Sequence, residues 1–451
     1  MANLSAKSTK INLFSFNTPQ MKAFHITWLT FFLCFFGWFG IAPLMAVVRE
    51  ELHLTKAQIG NIMIASVLIT IFARLAIGFI CDRIGPRIAY SILLLFGSIP
   101  VMLLGLSNSY ESFLLFRLGI GVIGASFVIT QYHTSLMFAP SIVGTANAVT
   151  AGWGNLGGGV TQIVMPLIFA GFVGLGYADS DAWRYAMFIP GAALFCMAFV
   201  YYFFTQDTPE GNVLDLKKND PTYKAKKADE KGSFIKACSD YRVWILFLIY
   251  GCSFGVEITI DNIAALYFMD EFHLTLAQAG FIAGAFGMMN IFARALGGIF
   301  GDKMGNKFGL RGRVMILGAF LFFEGLGIML FSQVHLLPLA ITVMILFALF
   351  VKMSNGATYS VVPFINNKAL GTVSGIVGAG GNAGAVMAGF LFKMEGISYR
   401  EGLLIVGIVV ASISFLAFLI KFPSVTTSPV QPAAKQASDE VVTSEAVVEV
   451  I

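Results

Sequence analysis

Two arginines stand inside stretches that are otherwise greasy. Arg74 closes an Ile-Phe-Ala-Arg tetrad in ELHLTKAQIGNIMIASVLITIFARLAIGFICDRIG, residues Glu51–Gly85, and Arg294 closes the same tetrad in EFHLTLAQAGFIAGAFGMMNIFARALGGIFGDKMG, residues Glu271–Gly305. The two segments are near copies, so whatever the arginine does is done twice. A guanidinium is always charged, is planar, and presents a fork of donors that matches planar oxyanions. Two of them facing one cavity would strongly favour an anion. The alternative is that each neutralises a buried carboxylate for structure alone. Against it, no acid sits at matching depth in both copies, since Glu257 has no evident first-copy counterpart.

A second duplicated feature is glycine-rich. AGWGNLGGGVTQIVMP runs from Ala151 to Pro166 and GIVGAGGNAGAVMAGF from Gly375 to Phe390, each with one asparagine, Asn155 or Asn382. Close helix packing explains the glycines. It explains the asparagines poorly, because an unpartnered amide in lipid is expensive. These side chains are expected to touch a ligand or brace a gate, offering both a donor and an acceptor.

The elements that position these residues follow from composition. Of 451 residues, 57% are hydrophobic and 12% charged, with a mean hydropathy of +0.79. Soluble proteins carry roughly twice that share of charge. A bilayer accommodates such a chain, at ~20 apolar residues per helical span. Apolar runs near 25–48, 57–80, 88–106, 112–137, 143–172 and 183–204 predict six spans. Runs near 242–268, 277–300, 311–332, 336–362, 369–393 and 400–421 predict six more. The expected fold is an all-α membrane protein of twelve transmembrane helices in two six-helix halves, residues 25–204 and 242–421. The first 22 residues are polar, with three lysines and no likeness to a cleavable signal. The five cysteines show no metal or CxxC spacing, so neither a disulfide framework nor a zinc site is expected.

Charge sets the expected orientation. The polar linker, residues 205–241, carries Lys217, Lys218, Lys224, Lys226, Lys227, Lys231 and Lys236, and the positive-inside rule makes it cytoplasmic. The N-terminal segment, residues 1–24, and the tail, residues 422–451, then share that side, the tail being expected to be disordered. Arg74 lies eight residues before Asp82, and Arg294 eight before Asp302. Each therefore sits ~12 Å in from the cytoplasmic end, near the middle of a ~30 Å core. Tyr250, eight residues after Arg242, reaches a similar depth.

Two parallel halves with a ligand held between them describe the major facilitator arrangement, and GFICDRIGPR at Gly78–Arg87 with GIFGDKMGNK at Gly298–Lys307 resemble its loop motif. LTKAQIGNIMIASVLITIFARLAIGFICDRIGPR, IVGTANAVTAGWGNLGGGVTQIVMP and YGCSFGVEITIDNIAALYFMDEFHL are similar to the nitrate/nitrite porter family. The likeness is to its high-affinity nitrate transporter branch of plants, algae and fungi and to their bacterial relatives. The resemblance implies that Arg74 and Arg294 clamp nitrate, with Asn155 and Asn382 in or beside the site. Tyr250 and Phe254, in YGCSF, would border the anion from the seventh helix, and Phe127, in GASFVIT, would be a second aromatic wall. Nitrite is implied as a second substrate, the inner or plasma membrane as the location, and proton symport as the driving reaction. The linked rivals are nitrate/nitrite exchange and a sensor that binds without transport. A single-span accessory protein serves some relatives but is not indicated here. Beyond nitrate, protons and lipid no partner is implied: no nucleic acid, no metal and no cofactor. No P-loop, nucleophile with a base, or metal-ligand cluster suggests an enzyme.

Uphill anion entry needs a driver, because a negative-inside potential opposes it by ~2.3 kcal/mol per 100 mV. Two protons per nitrate would reverse the sign of the charge moved. Glu257 and Asp261, four apart and so on one helical face, are candidates for proton coupling, read as lying toward the outer end of the seventh helix, where capping is the competing role. Glu324 and His133 are weaker candidates, and Arg117 is expected to be structural. Lys352, in FVKMSNGATYSVVPF, departs from the family pattern. Relatives tend to be neutral there and acidic at Asn355. Snorkelling to a membrane boundary is its simplest expected role.

Overall fold

The computed structural model describes residues 7–139, 142–219, 238–365 and 370–422. Most of the lysine-rich linker and the tail read as disordered lie outside them. Eleven apolar helical stretches are long enough to cross a membrane. One of these, Leu276–Gln333, is 58 residues long, or ~87 Å of helix against a ~30 Å core. It is broken at Gly309, whose φ of 65° is left-handed, so it crosses twice and supplies the eighth and ninth spans. The chain therefore crosses twelve times. Among the described residues the only β pairing is two isolated bridges.

In the first half the spans are Pro19–Phe39 with its continuation to Glu51, Lys56–Ile84, Pro86–Leu103, Tyr110–Met137, Val143–Gly174 and Asp179–Phe204. The seventh is Tyr241–Phe272, the tenth Leu337–Val361, the eleventh Leu370–Phe392, and the twelfth Tyr399–Leu419. The first span begins at Pro19 rather than near residue 25, because Thr18 caps it by accepting from the Met21 amide. The seventh runs on to Phe272, past the expected end at 268. Glu257 and Asp261 consequently lie in its middle, not toward an outer end, and helix-end capping is not their role.

The sequence duplication is also a duplication of local chemistry. The repeated His-Leu-Thr places His53 and His273 at positive φ, 49° and 53°, turning the chain between spans. The threonines that follow, Thr55 and Thr275, form capping boxes with Gln58 and Gln278 and start the second and eighth spans. Just upstream, Glu51 pairs with Arg184 at 2.5 Å and Glu271 with Arg400 at 2.7 Å. Each of these arginines also donates to two backbone carbonyls at a neighbouring helix end, Gly105 and Ser107 in one half, Ser332 and Val334 in the other. Each half is thus pinned internally by the same ion pair.

The duplication fails in the eighth span. The second span is continuous helix through Arg74, whereas the eighth is interrupted by a 3-10 turn at Met289–Ile291 immediately before Arg294. Asn290, within that turn, donates to the Glu257 carboxylate at 2.8 Å. Gly280, Gly284 and Gly287, in the stretch before the turn, weaken helix propensity there.

Glycines carry the contacts between helices. A Cβ on Gly287 would lie 2.2 Å from the Gly159 Cα, so the fifth and eighth spans touch backbone to backbone across the two halves. On Gly384 it would lie 1.9 Å from the Gly251 carbonyl oxygen, which joins the eleventh span to the seventh. At the membrane face away from the termini the halves are drawn together. Arg49 makes a bidentate pair with Asp270 at 2.7 and 2.9 Å, Lys393 reaches Asn61 at 3.2 Å, and Lys56 donates to the Ile397 carbonyl.

Two outcomes follow. Arg49→Ala removes a pair about one third exposed, worth at most ~1 kcal/mol. It should shift the population of the open distal face by up to about fivefold, read as lengthened spin-label distances between the Leu52–Thr55 and His273–Thr275 turns. Gly384→Ala forces its methyl into a carbonyl and should cost roughly 2 kcal/mol or more, visible as a lowered Tm in detergent.

Candidate functional site

Arg74 and Arg294 are both buried, at 7% and 4% exposure. Neither makes an ion pair among the described contacts. Arg74 donates from Nη1 to the Gly378 carbonyl at 3.0 Å and from Nε to the Gly124 carbonyl at 3.3 Å. Its guanidinium lies 5.2 Å from the centre of the Phe127 ring. Arg294 donates from Nη2 to the Tyr250 hydroxyl at 2.9 Å and lies 5.8 Å from the Phe254 ring centre. The two sites share a design: guanidinium nitrogens spent on neutral protein oxygens, two on Arg74 and one on Arg294, with one aromatic face beneath each charge. Each also keeps a donor that is buried and has no protein acceptor, Nη2 on Arg74 and Nη1 on Arg294.

Tyr359 ties the two together. Its ring meets Phe127 edge-on at 6.4 Å and Tyr250 at 5.3 Å, while Tyr250 stacks on Phe254 at 5.1 Å. Both guanidiniums fall within electrostatic reach of the same two phenols, Tyr250 and Tyr359. Gly378 completes the wall, since a Cβ there would meet the Tyr359 hydroxyl at 3.5 Å and Arg74 Nη1 at 3.7 Å. Arg74, Arg294, Phe127, Tyr250 and Phe254 are therefore neighbours in one buried, aromatic-walled site between the halves. Tyr359 and the Gly378 carbonyl escaped the sequence reading. The phenol was a weak signal, one polar tip in a span of ordinary composition, and a carbonyl leaves no signal.

Asn155 and Asn382 are fully buried, and neither amide oxygen nor nitrogen has a protein partner. Asn382 lies one turn beyond Gly378 and so on the same helical face. Asn155 is flanked by Gly154, against Phe31, and Gly158, whose face meets the Asp261 carboxylate. Both belong to the seam where the glycine helices pass. No described hydrogen bond joins either to an arginine.

The acids are placed differently from expectation. Glu257 accepts from Asn290 at 2.8 Å and Asn355 at 2.6 Å and pairs with Lys352 at 2.7 Å. Lys352 does not snorkel. It is fully buried, because its charge is met by Glu257 on one side and the Phe286 ring, 4.3 Å away, on the other. Asp261 meets the other half, its backbone carbonyl accepting from Gln162 at 2.6 Å while its buried Oδ1 has no partner. His133 is satisfied within its own half, between the Tyr201 hydroxyl at 2.5 Å and the Gln206 carbonyl at 2.8 Å. Arg117 donates to the Trp38 carbonyl at 2.8 Å, a structural tie.

The model of the Major Facilitator Superfamily matches residues 27–389 and 246–449. High affinity nitrate transporter 2.5 of Arabidopsis thaliana is 42% identical over 436 residues, covering 96% of this chain and 86% of that protein. The chain belongs to the nitrate/nitrite porter family of the Major Facilitator Superfamily. Nitrate transporter 2.1 of Chlamydomonas reinhardtii is 37% identical over 95% of this chain and 80% of its own length. The nitrate/nitrite transporter NrtP of Picosynechococcus is 29% identical over 83% and 85%. Among solved structures, a bacterial homologue of the human lysosomal transporter Spinster, inward-facing and unoccupied, superposes with a TM-score of 0.70. It is 18% identical, covers 90% of this chain and 98% of its own, and speaks to fold alone. This porter is a multi-pass secondary transporter and not an enzyme.

The chemistry of this site predicts that small planar oxyanions raise the porter's Tm. Arg74→Lys loses the fork and both carbonyl contacts, and should weaken that binding at least tenfold, about 1.4 kcal/mol. Tyr359→Phe should weaken it less, by about 1 kcal/mol, if the hydroxyl donates to the ligand.

Proposed function

We propose that the porter carries nitrate inward across the plasma or inner membrane by proton symport, with nitrite as a second substrate. One observation carries the reading: two buried guanidiniums, one from each half, each backed by an aromatic face, each retaining an unshared donor, and both within electrostatic reach of the same pair of tyrosines. Nitrate is planar, singly charged and weakly hydrated, so a guanidinium fork on either side meets its oxygens and aromatic rings enclose its plane. The names of the relatives supply the substrate. Sulfate and phosphate are larger and more highly charged, and two arginines in an aromatic-walled site offer too little room and compensation for them.

Both termini and the linker are assigned to the cytoplasm by the lysine distribution. The halves, residues 25–204 and 242–421, rock about the site, and the contacts at the distal face close it to the outside in the state described. The glycine-rich fifth and eleventh helices allow the slide, the fifth through the backbone approach of Gly159 to Gly287 across the halves. Asn155 and Asn382 face this seam and act on the substrate or gate as the halves separate.

Asp261 is the better placed of the two acids for coupling. It sits at the seam between halves with one carboxylate oxygen unpartnered, so opening the distal face exposes it to outside water. Glu257 is held by three partners and serves as a fixed countercharge.

The test is labelled nitrate uptake into proteoliposomes under an imposed inward proton gradient, for wild type, Arg74→Lys and Asp261→Asn. Gradient-driven uptake in wild type, abolished in Arg74→Lys, is the expected result. Asp261→Asn should retain nitrate counterflow but accumulate nitrate severalfold less under the gradient. Uptake that occurs only against internal nitrite would make the porter an exchanger. Saturable binding without counterflow would make it a sensor.

A further inference from the structure

The anion site and its seam acid leave one buried carboxyl of the second half unused. Glu324 lies in the ninth span with no exposed surface, and neither carboxylate oxygen has a well-formed hydrogen bond in the protein. The neighbours are few. The tenth span brings the Ser354 hydroxyl beside it and the Lys352 ammonium within electrostatic reach. The seventh brings Glu257 and the Cys252 thiol. The eighth turns Asn290 and Arg294 toward Glu257 instead. The twelfth meets the ninth where Gly325 packs on Ala411, and it has no titratable side chain between Leu403 and Ile420.

One ammonium thus serves three buried acids. Lys352 touches Glu257 at 2.7 Å and acts at longer range on Asp261 and Glu324. An ionised carboxylate without donors, next to another carboxylate, is the costly arrangement at such a site. A neutral carboxyl beside a serine is not. Buried ionisable groups in a transport protein are placed at such cost for a reason.

We propose, resting on the symport reading above, that Glu324 is a second proton-binding site of the transport cycle and that Lys352 connects it to the anion site. While Glu324 holds its proton, Lys352 stays between Glu257 and the Phe286 ring, as seen here. The Glu257 charge is then neutralised, and Arg294 is left to the anion. Loss of the proton turns Glu324 into a rival for the ammonium. The Glu257 charge, which already reaches Arg294, then competes with the substrate for that guanidinium. Proton and anion therefore bind cooperatively, and the coupling is reciprocal by linkage. The only bond made and broken is the carboxyl O–H, with the proton taken from water on one side and returned to water on the other.

The consequence is stoichiometric. With Asp261 and Glu324 each carrying a proton, one nitrate crosses with two protons and one net positive charge moves inward. The experiment measures the proton-to-nitrate ratio in proteoliposomes from reversal potentials, for wild type, Glu324→Gln and Glu324→Asp. Glutamine is close in shape and mimics the neutral acid. The expected ratios are two for wild type, one for Glu324→Gln, whose uptake becomes electroneutral, and two for Glu324→Asp. A ratio of two in Glu324→Gln overturns the proposal, as does a wild-type ratio of one. Wild type that shows no proton-coupled nitrate uptake sinks the symport reading itself, which is a distinct result. An infrared difference spectrum on wild type supplies a check that needs no active variant. A protonated-carboxyl band should vanish in Glu324→Gln, and its persistence there places the proton elsewhere and overturns the proposal.

Discussion

Holding two guanidinium charges near the middle of a bilayer is the constraint on which this structure turns. A charge cannot be left bare there, and a carboxylate in contact would satisfy it so well that no substrate could compete. The protein takes an intermediate course. Each arginine is steadied by neutral oxygens, carbonyls of Gly124 and Gly378 for Arg74 and the Tyr250 hydroxyl for Arg294, and by the face of a phenylalanine. These contacts orient the fork without cancelling its charge. The countercharge is set back: Glu257 acts on Arg294 without touching it.

That placement explains where the two halves agree and where they part. The helix starts, the left-handed histidine turns and the internal ion pairs are repeated because each half must fold the same way. The acids are not repeated. Glu257, Asp261, Glu324 and Lys352 all belong to the second half, and the break at Met289–Ile291 is there too, swinging Asn290 onto Glu257. Each half contributes one arginine of the pair and the second alone carries the titratable cluster, a division that a strictly symmetric carrier could not make.

Much of this was legible in the residues. Hydropathy and the internal repeat led to twelve spans, and depth counted from Asp82 and Asp302 placed both arginines at the same level. Phe127, Tyr250 and Phe254 came through the family likeness, and the structure brings them to the arginines. Other features were hidden for physical reasons. The ends of the first and seventh spans depend on caps and on the last apolar turns, which hydropathy averages away, so Glu257 and Asp261 were read too far outward. Lys352 looked like a boundary lysine because its partners, Glu257 and the Phe286 ring, lie on other helices. Tyr359 joins two walls through ring geometry that no spacing encodes.

The seam between halves shows why such a carrier needs glycine and asparagine together. At Gly159–Gly287 the fifth and eighth helices pass backbone to backbone, and at Gly284 the Ile163 side chain fills the space a Cβ would take. Bare backbone provides close approach but no direction, since dispersion varies little along a smooth groove. Polar groups set into the groove supply discrete resting positions. Gln162 reaching the Asp261 carbonyl is one such catch in the state described. The buried amides of Asn155 and Asn382, unpartnered here, are suited to be met in another state or by the substrate. A groove made only of glycine would slide without stopping, and one made only of polar residues would not slide.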